Sequence, residues 1–251
     1  MSPAEQPRVS VVIPVKDEGD AIAACLDRIL EGVTLPLEII VVHDDPNDTT
    51  LPFLEKYTGV DERVVSTQNE YGRGPARAIR WGIDQARGPV VVVTMADGSD
   101  DAEQIDDLCK LVERGVVIAS ASRYMSSGQQ IGGPPLKSLL SRLAGLSLHW
   151  FARVGTRDAT NSFKAYSTAF VRDVGIASET GFEIGIELVA KARRLRLGVA
   201  EVPTIWLERA KGTSNFKVLR WLPRYLRWYR FAFGRKLTVE QIRAKTGAAP
   251  S

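Results

Sequence analysis

The chain has 251 residues, 44% hydrophobic and 25% charged, which suits one large globular domain or a domain with an appendage and excludes a disordered or fibrous class. Net charge is +3, but residues 209–236 hold nine Lys or Arg and no Asp or Glu, so +3 less nine leaves −6 on the remainder; a basic segment on an acidic body points to an anionic partner. Two distant cysteines, Cys25 and Cys109, read as buried free thiols in a reducing compartment, Met1 to Arg8 does not resemble a leader peptide, and no run of eighteen uncharged apolar residues predicts a membrane-spanning helix.

Residues 9–15 predict a first buried strand, and residues 21–30 a helix with Ile22, Cys25, Leu26 and Ile29 on one face. Residues 37–42 read as a second strand, 64–65 as a short third, 77–86 as a helix and 89–94 as a fourth strand. A helix over 105–112 and a strand over 115–121 follow. This alternation predicts a parallel sheet with right-handed crossovers. After Ala121 the rhythm breaks. Residues 126–135 are rich in Gly, Ser, Gln and Pro and read as a loop. Residues 136–152 read as a helix, 162–166 as a strand, 181–194 as a helix, 198–207 as a last strand and 209–216 as a loop. An aromatic, basic segment over 218–233 and a frayed tail over 247–251 complete the chain.

Chemistry gathers at four predicted strand ends. They are Pro14-Val15-Lys16-Asp17-Glu18, His43-Asp44-Asp45-Pro46-Asn47-Asp48, Asn69-Glu70-Tyr71-Gly72-Arg73-Gly74, and Ala96-Asp97-Gly98-Ser99-Asp100. Ligands of open α/β sheets collect where such strands end. The valine run 90–93 ends in Asp97 on a Gly-Ser turn, well placed to hold a cation against a phosphate. Asp100 with Glu103 predicts a capping box for the next helix. His43 and His149 are assigned no chemistry.

In their order and spacing these elements resemble the family 2 glycosyltransferases of the GT-A fold, and among them the polyprenyl-phosphate glycosyltransferases of the dolichol-phosphate mannose synthase type. The resemblance runs from about Val9 to Phe233. It implies a Rossmann-like, mostly parallel sheet with helices on both faces. Residues 1–216 would form the GT-A domain, with a nucleotide-sugar half over 8–121 and an acceptor half over 122–216; residues 217–251 would be a basic aromatic amphipathic helix and tail. Pro14, Val15 and Glu18 match the turn that borders the nucleotide base, Asp44 the acid that reads it, and Arg73 a cation near the nucleotide. Ala96-Asp97 match the end of the metal motif. Residues 158–166 resemble the family's Asp-Pro-Thr-Ser-Gly-Phe-Arg-Ala-Tyr stretch, which suggests a structural place for Asp158. Glu201-Val202-Pro203 and Arg209-Ala210-Lys211-Gly212-Thr213-Ser214 resemble its last elements.

The chain departs from the pattern at Met95, where an Asp is usual, at Ser99, often Gln, and at Asn215, usually Lys. A divalent metal, Mg²⁺ or Mn²⁺, is therefore expected on Asp97, with Ser99 at the adjoining ligand position and the donor diphosphate supplying further oxygens. Arg209 and Lys211 would close over that diphosphate, and Asp97 and Arg209 would be the catalytic pair. Arg123, Lys137 and Ser141 stand where the synthases bind acceptor phosphate; Lys137 and Ser141 share a helix face. A phosphate monoester, with a second pKa of about 6, needs no catalytic base.

The expected reaction is inverting transfer from a nucleoside-diphosphate sugar to a polyprenyl phosphate. The alternatives are a hydroxyl acceptor on a glycan or lipid, and a nucleotide-binding protein without catalysis. Leu136, Leu139, Leu140, Leu143 and Leu146 fall at helical spacing, followed by Trp150 and Phe151, and either face the core or lie in a lipid interface. Arg220, Arg224 and Arg227 form one stripe beside Trp221, Tyr225 and Trp228, which suits either a membrane surface or packing on the body. The expected place is cytoplasmic, peripheral at the inner face of the membrane, with a membrane protein partner or a homodimer as further possibilities. Nucleic acid is not expected, since no reader motif accompanies the charge.

Overall fold

The β-branched runs become strands and the amphipathic segments between them become helices. A computed structural model describes residues 6–207 and 218–248, except the side chains of Lys137, Val218, Leu219 and Arg220. The elements in order are β1 (Val9–Val15), α1 (Ala21–Gly32), β2 (Leu37–His43), α2 (Leu51–Thr58), β3 (Val64–Gln68), α3 (Pro75–Gln85), β4 (Val90–Val93), α4 (Ile105–Glu113), β5 (Ile118–Ser122) and β6 (Gln129–Ile131). Then come α5 (Pro135–Ser147) running into a π-helical turn (Leu148–Ala152), β7 (Lys164–Ser167), α6 (Thr168–Val174), α7 (Ile184–Leu195), β8 (Val199–Pro203), β9 (Ile205–Leu207), α8 (Val218–Ala232) and α9 (Val239–Thr246).

The seven-stranded sheet has the order β3-β2-β1-β4-β7-β5-β8. It is parallel except for β7, which lies antiparallel between β4 and β5. Residues 122–216, the expected acceptor half, therefore share the sheet of the expected nucleotide half. Alternation sorts the side chains into two layers. Val9, Val11, Ile13 and Val15 of β1, with Val90 and Val92 of β4, pack with α1 and α4. Val12, Val91 and Val93 pack with α3, α6 and α7. Gly82 allows α3 to sit close, since a Cβ there would lie 2.4 Å from Val12 Cγ1. Pro14 is tolerated in a central strand because β1 pairs with β4 only as far as Val12↔Val93, so no ladder hydrogen bond is lost beyond it.

Several elements differ from the sequence expectation. Helix α2 escapes pattern reading because it is short and buries only Leu54. The expected loop over 126–135 contains β6, which pairs in parallel with β9 as a separate ribbon. The single strand expected over 198–207 is two strands, broken at Thr204, and each half pairs in a different sheet. Helix α9 was not predicted; it begins on a Thr238–Gln241 capping box. Asp100 is not the cap of the turn before α4: Asp101 is, accepting from Glu103 N at 3.2 Å. Asp100 is held instead beneath the β4 turn.

Helix α8 packs on α7. Trp228 is 2% exposed and its indole N–H reaches Ser178 Oγ at 3.2 Å, so that ring belongs to the core and not to a lipid-facing stripe. Arg227 donates to Thr246 O of α9, and Arg224 stacks over Trp221. Arg220's side chain lies outside the described residues. Both cysteines are buried and free, and burial pushes each thiol up to about 12. Among the described residues no helix is long and apolar enough to cross a membrane.

Candidate active site

Strands β1 and β4 are neighbours, yet their crossovers leave in opposite directions, β1 to β2 on one side and β4 to β5, beyond β7, on the other. The crevice past their carboxyl ends is the ligand position of such sheets. The predicted nucleotide residues meet there. Pro14 and Val15 are buried at the end of β1. The following turn is braced by the loop after β2: Asp17 N donates to Asp48 Oδ1 and Oδ2 at 3.1 Å, and Glu18 N donates to Thr50 Oγ1 at 3.1 Å. Asp48, 4% exposed, closes the second polar strand end read in the sequence; Thr50, 0% exposed, was not singled out there, and only the burial reveals it.

Asp44 ties two loops together. Its Oδ1 accepts from Asn69 Nδ2 at 2.8 Å and its Oδ2 from Gly74 N at 2.7 Å. Gly74, at φ +129°, begins α3 in a conformation that disfavours any other residue. Arg73, with a 78% exposed side chain, pairs with Asp45 at 2.7 Å. An exposed pair of this kind is worth at most about 1 kcal/mol, so a ligand can take the guanidinium from it. His43 is buried, with Nδ1 3.0 Å from Asp45 O.

Past β4, Ala96 is buried and Asp97 is half-buried at the rim. Asp97 Oδ1 accepts from Ser99 N at 3.0 Å across Gly98, whose φ is +71°. Ser99 is itself buried, and its recorded contact with Asp97 is this backbone N–H. Asp100 lies underneath, accepting from Thr94 Oγ1 at 2.9 Å and Met95 N at 3.2 Å. Burial, and then the Asp97 charge, push its carboxyl up to about 6 although those two hydrogen bonds and Arg123 act against the shift. Among the described residues no three His, Cys, Asp or Glu side chains converge on a metal position.

On the acceptor side, Arg123 follows β5 and meets Asp158. Its backbone N–H, Nε and Nη2 donate to the Asp158 carboxylate at 3.1, 2.7 and 2.9 Å. Asp158 is fully buried; burial alone would raise its carboxyl, but Arg123 holds it below the ordinary range. Ser141 Oγ lies 3.5 Å from Arg123 Nη2, 3.0 Å from Tyr124 Oη and 2.6 Å from Thr160 Oγ1. So Arg123 and Ser141 are brought together as predicted, but Arg123 already has an internal counter-ion that sequence spacing did not reveal. Arg123 is also near enough to Asp100 for each charge to act on the other, which joins the two halves of the rim. Lys137 lies one turn before Ser141 in α5, with its side chain outside the described residues, as Arg209 and Lys211 are altogether. A groove of about 610 Å³ opens here between β6 and α5, bordered by Arg123, Tyr124, Gln130, Ile131, Ser138 and Arg142.

Lys164, also fully buried, donates to Asn161 O, and burial pushes its ammonium down to about 7. The folded pKa is below the ordinary 10.5, so between pH 7 and 10.5 the unfolded chain binds more protons. Stability should therefore rise with pH across that window, and Lys164→Met should flatten the rise. Denaturant midpoints of both proteins at each end of the window measure the difference.

Leu136, Leu139, Leu140 and Leu143 of α5 are 65, 53, 40 and 56% exposed, and Trp150 and Phe151 are 66 and 78% exposed. Of the two expectations for this helix, a core-facing leucine stripe is thus wrong; only Leu146 is half-buried.

The sequence profile described as glycosyl transferase family 2 matches residues 10–175. The chain is 28% identical over 232 residues to a polyprenol monophosphomannose synthase of Mycolicibacterium smegmatis, covering 85% of this chain and 86% of that protein. It is 26% identical over 215 residues to an undecaprenyl-phosphate mannosyltransferase of Micrococcus luteus, covering 83% and 87%. In fold it is similar to a crystal structure of glucosyl-3-phosphoglycerate synthase from Mycobacterium tuberculosis in complex with Mn²⁺, UDP and phosphoglyceric acid. The TM-score is 0.69 over 92% of this chain and 80% of that one, at 17% identity.

Proposed function

The chain belongs to glycosyl transferase family 2, and from that premise we propose that it transfers a sugar, with inversion, from a nucleoside-diphosphate sugar to a polyprenyl phosphate. The observation that carries this reading is the shared rim. The Asp97 turn and the Arg123–Ser141 pair lie on one edge of the sheet, and the uncovered leucines of α5 lie beside the second of them. The two relatives, one a polyprenol monophosphomannose synthase and one an undecaprenyl-phosphate mannosyltransferase, support the acceptor class.

In this reading the base and ribose lie against Pro14, Val15 and Glu18. Asp44 reads the base with lone pairs left over from Asn69 and Gly74, since a carboxylate offers about four acceptor positions. Arg73 releases Asp45 for the nucleotide. Asp97 is a hard oxygen donor at the rim without a surrounding cluster of ligands. That donor set fits Mg²⁺ or Mn²⁺, which commonly take one or two carboxylates together with substrate phosphates. The solved structure of similar fold holds Mn²⁺ with UDP. Asp97, with Ser99 beside it, would hold the ion, and the ion would supply Lewis-acid stabilisation of the leaving diphosphate. Arg209 and Lys211 add positive charge over that diphosphate. Arg123, Lys137 and Ser141 position the acceptor phosphate, which is already anionic and attacks without a base. Asp158 holds Arg123 in place and takes no proton.

Transfer to a long-chain lipid requires the enzyme to meet a bilayer. Helix α5 would lie in the interface at the cytoplasmic face, leucines and the Trp150-Phe151 pair inward, with a membrane partner or a second copy of the chain as possible company. Leu139→Glu with Leu143→Glu should release the protein from anionic vesicles in a flotation assay and leave its Tm unchanged, because both side chains are exposed in water. Retained flotation would remove α5 from the interface.

The reaction itself is tested by incubating the purified protein and Mn²⁺ with labelled UDP- and GDP-sugars and membranes containing polyprenyl phosphate. Label should enter the lipid phase. If label reaches only a glycan or lipid hydroxyl, and Lys137→Ala leaves that rate unchanged, the acceptor assignment falls.

A further inference from the structure

At the end of the sheet opposite the donor rim, where β8 begins, a second pocket of about 220 Å³ is lined by Arg153, Arg193, Arg196, Val154, Gly155 and Val199. Three arginines converge there because two elements terminate side by side. Arg153 closes the π-helical turn in the left-handed conformation, φ +57°, and Arg196 closes α7 in the same way, φ +65°. Gly155, at φ +86°, lets the chain pass against β8; a Cβ there would stand 2.8 Å from Val199 O.

Their charge is not balanced. Among the described residues, none of the three takes part in an ion pair with a carboxylate. Arg193 Nε donates to Ala152 O, but its Nη1 is buried without an acceptor. The neighbouring Arg194 spends its donors on Arg235 O and Phe231 O. Burial, followed by Arg196, Arg153 and Arg194, pulls Arg193 below the ordinary guanidinium value. Arginines at the carboxyl end of α7 do offset its dipole. That role leaves no reason for three to crowd one hollow, nor for a buried guanidinium N–H with nothing to bond. Buried donors are almost always satisfied, and the partner that satisfies several convergent guanidinium forks at once is a multi-oxygen anion.

We propose that Arg153, Arg193 and Arg196 form an oxyanion site, distinct from the donor and acceptor positions, that binds a phosphate group, either free or in the headgroup of an anionic phospholipid. The exposed Trp150 and Phe151 lie three and two residues before Arg153 in the chain. Aromatic rings beside arginines match the level of lipid headgroups. The pocket would thus seat a lipid phosphate at the far end of the apolar stripe of α5.

The test compares the full chain with Arg153→Gln/Arg196→Gln, two changes at the pocket mouth, and with Arg153→Lys/Arg196→Lys, which keeps the charge and removes the forks. Two probes are used: inorganic phosphate, by thermal shift and calorimetry against chloride of equal ionic strength, and phosphatidylcholine vesicles with and without phosphatidylglycerol, by co-sedimentation. The Gln variant should lose about tenfold in affinity for at least one probe, with the Lys variant between it and the unaltered protein. A loss confined to phosphatidylglycerol vesicles identifies the headgroup; a loss with both probes shows that free phosphate binds as well. If neither probe separates the Gln variant from the unaltered protein, or the unaltered protein binds neither, the site does not exist. Neither readout depends on sugar transfer, so failure here is separate from failure of the proposed reaction.

Discussion

Asp97→Asn should lower sugar transfer by about two to three orders of magnitude while leaving the protein folded. Asn is isosteric, and its carbonyl oxygen can still accept the Ser99 N–H that shapes the turn. What it lacks is negative charge. The loss should be felt fully, because Met95, two residues before Asp97, offers no second carboxylate. Asp100 cannot step in. It is buried, both Thr94 Oγ1 and Met95 N bond to it, and its carboxyl is pushed up to about 6, so a proton competes for the site in mild acid. The loss should appear in kcat more than in donor affinity, since the diphosphate becomes a better leaving group only as its bond breaks. Steady-state kinetics with varied Mn²⁺ checks this. A variant as fast as the parent at every Mn²⁺ concentration removes Asp97 from the chemistry.

Arg123→Met should destabilise the fold by about 3–5 kcal/mol at neutral pH, the usual result of stranding one half of a buried ion pair. Asp158 would keep only Asn161 N at 3.2 Å and Thr160 Oγ1 at 3.4 Å as hydrogen-bond donors besides the Arg123 backbone. Asp158→Asn should cost a similar amount, by stranding the guanidinium. The double replacement should recover part of the loss, because two uncharged side chains need no counter-ion. The pH dependence has a definite sign. In the folded protein the Asp158 carboxyl lies below its ordinary value, so its stabilisation is complete above the unfolded value and disappears as pH falls through the folded one. The deficit of Arg123→Met should therefore shrink on acidification, as the stranded carboxylate takes up a proton. Urea midpoints of the four proteins, at neutral and acid pH, decide it; additive single losses would mean that the two side chains are not coupled.

The donor half of the site was legible before any coordinates. The runs around Val11, Ile40 and Val92 are apolar but for Ser10 and Glu38, which reads as burial on both faces, and a strand buried on both faces has a loop of functional residues at its end. Glu18, Asp44 and Asp97 needed only that inference to be placed on one rim. Met95 and Ser99, set against the family pattern, likewise led to the expectation of a metal position with few protein ligands. The acceptor half was less legible. The chain marks Arg123 and Ser141 as polar, but spacing contains no sign that Arg123 faces Asp158, because the two lie 35 positions apart and meet only when β7 inserts between β4 and β5.

Local order along the chain, then, was enough to determine the alternating architecture, the family resemblance and the four acidic or basic strand ends, since periodicity and turn chemistry act between residues that are near in sequence. Only the tertiary structure decided which charges are spent on one another. It gave Arg123 a buried counter-ion, drew Trp228 into the core, left the leucines of α5 in solvent, and gathered Arg153, Arg193 and Arg196 around one hollow with no acid paired to them among the described residues. Coulombic and desolvation energies depend on distance and burial in three dimensions, and neither quantity is written in the spacing of residues along a chain.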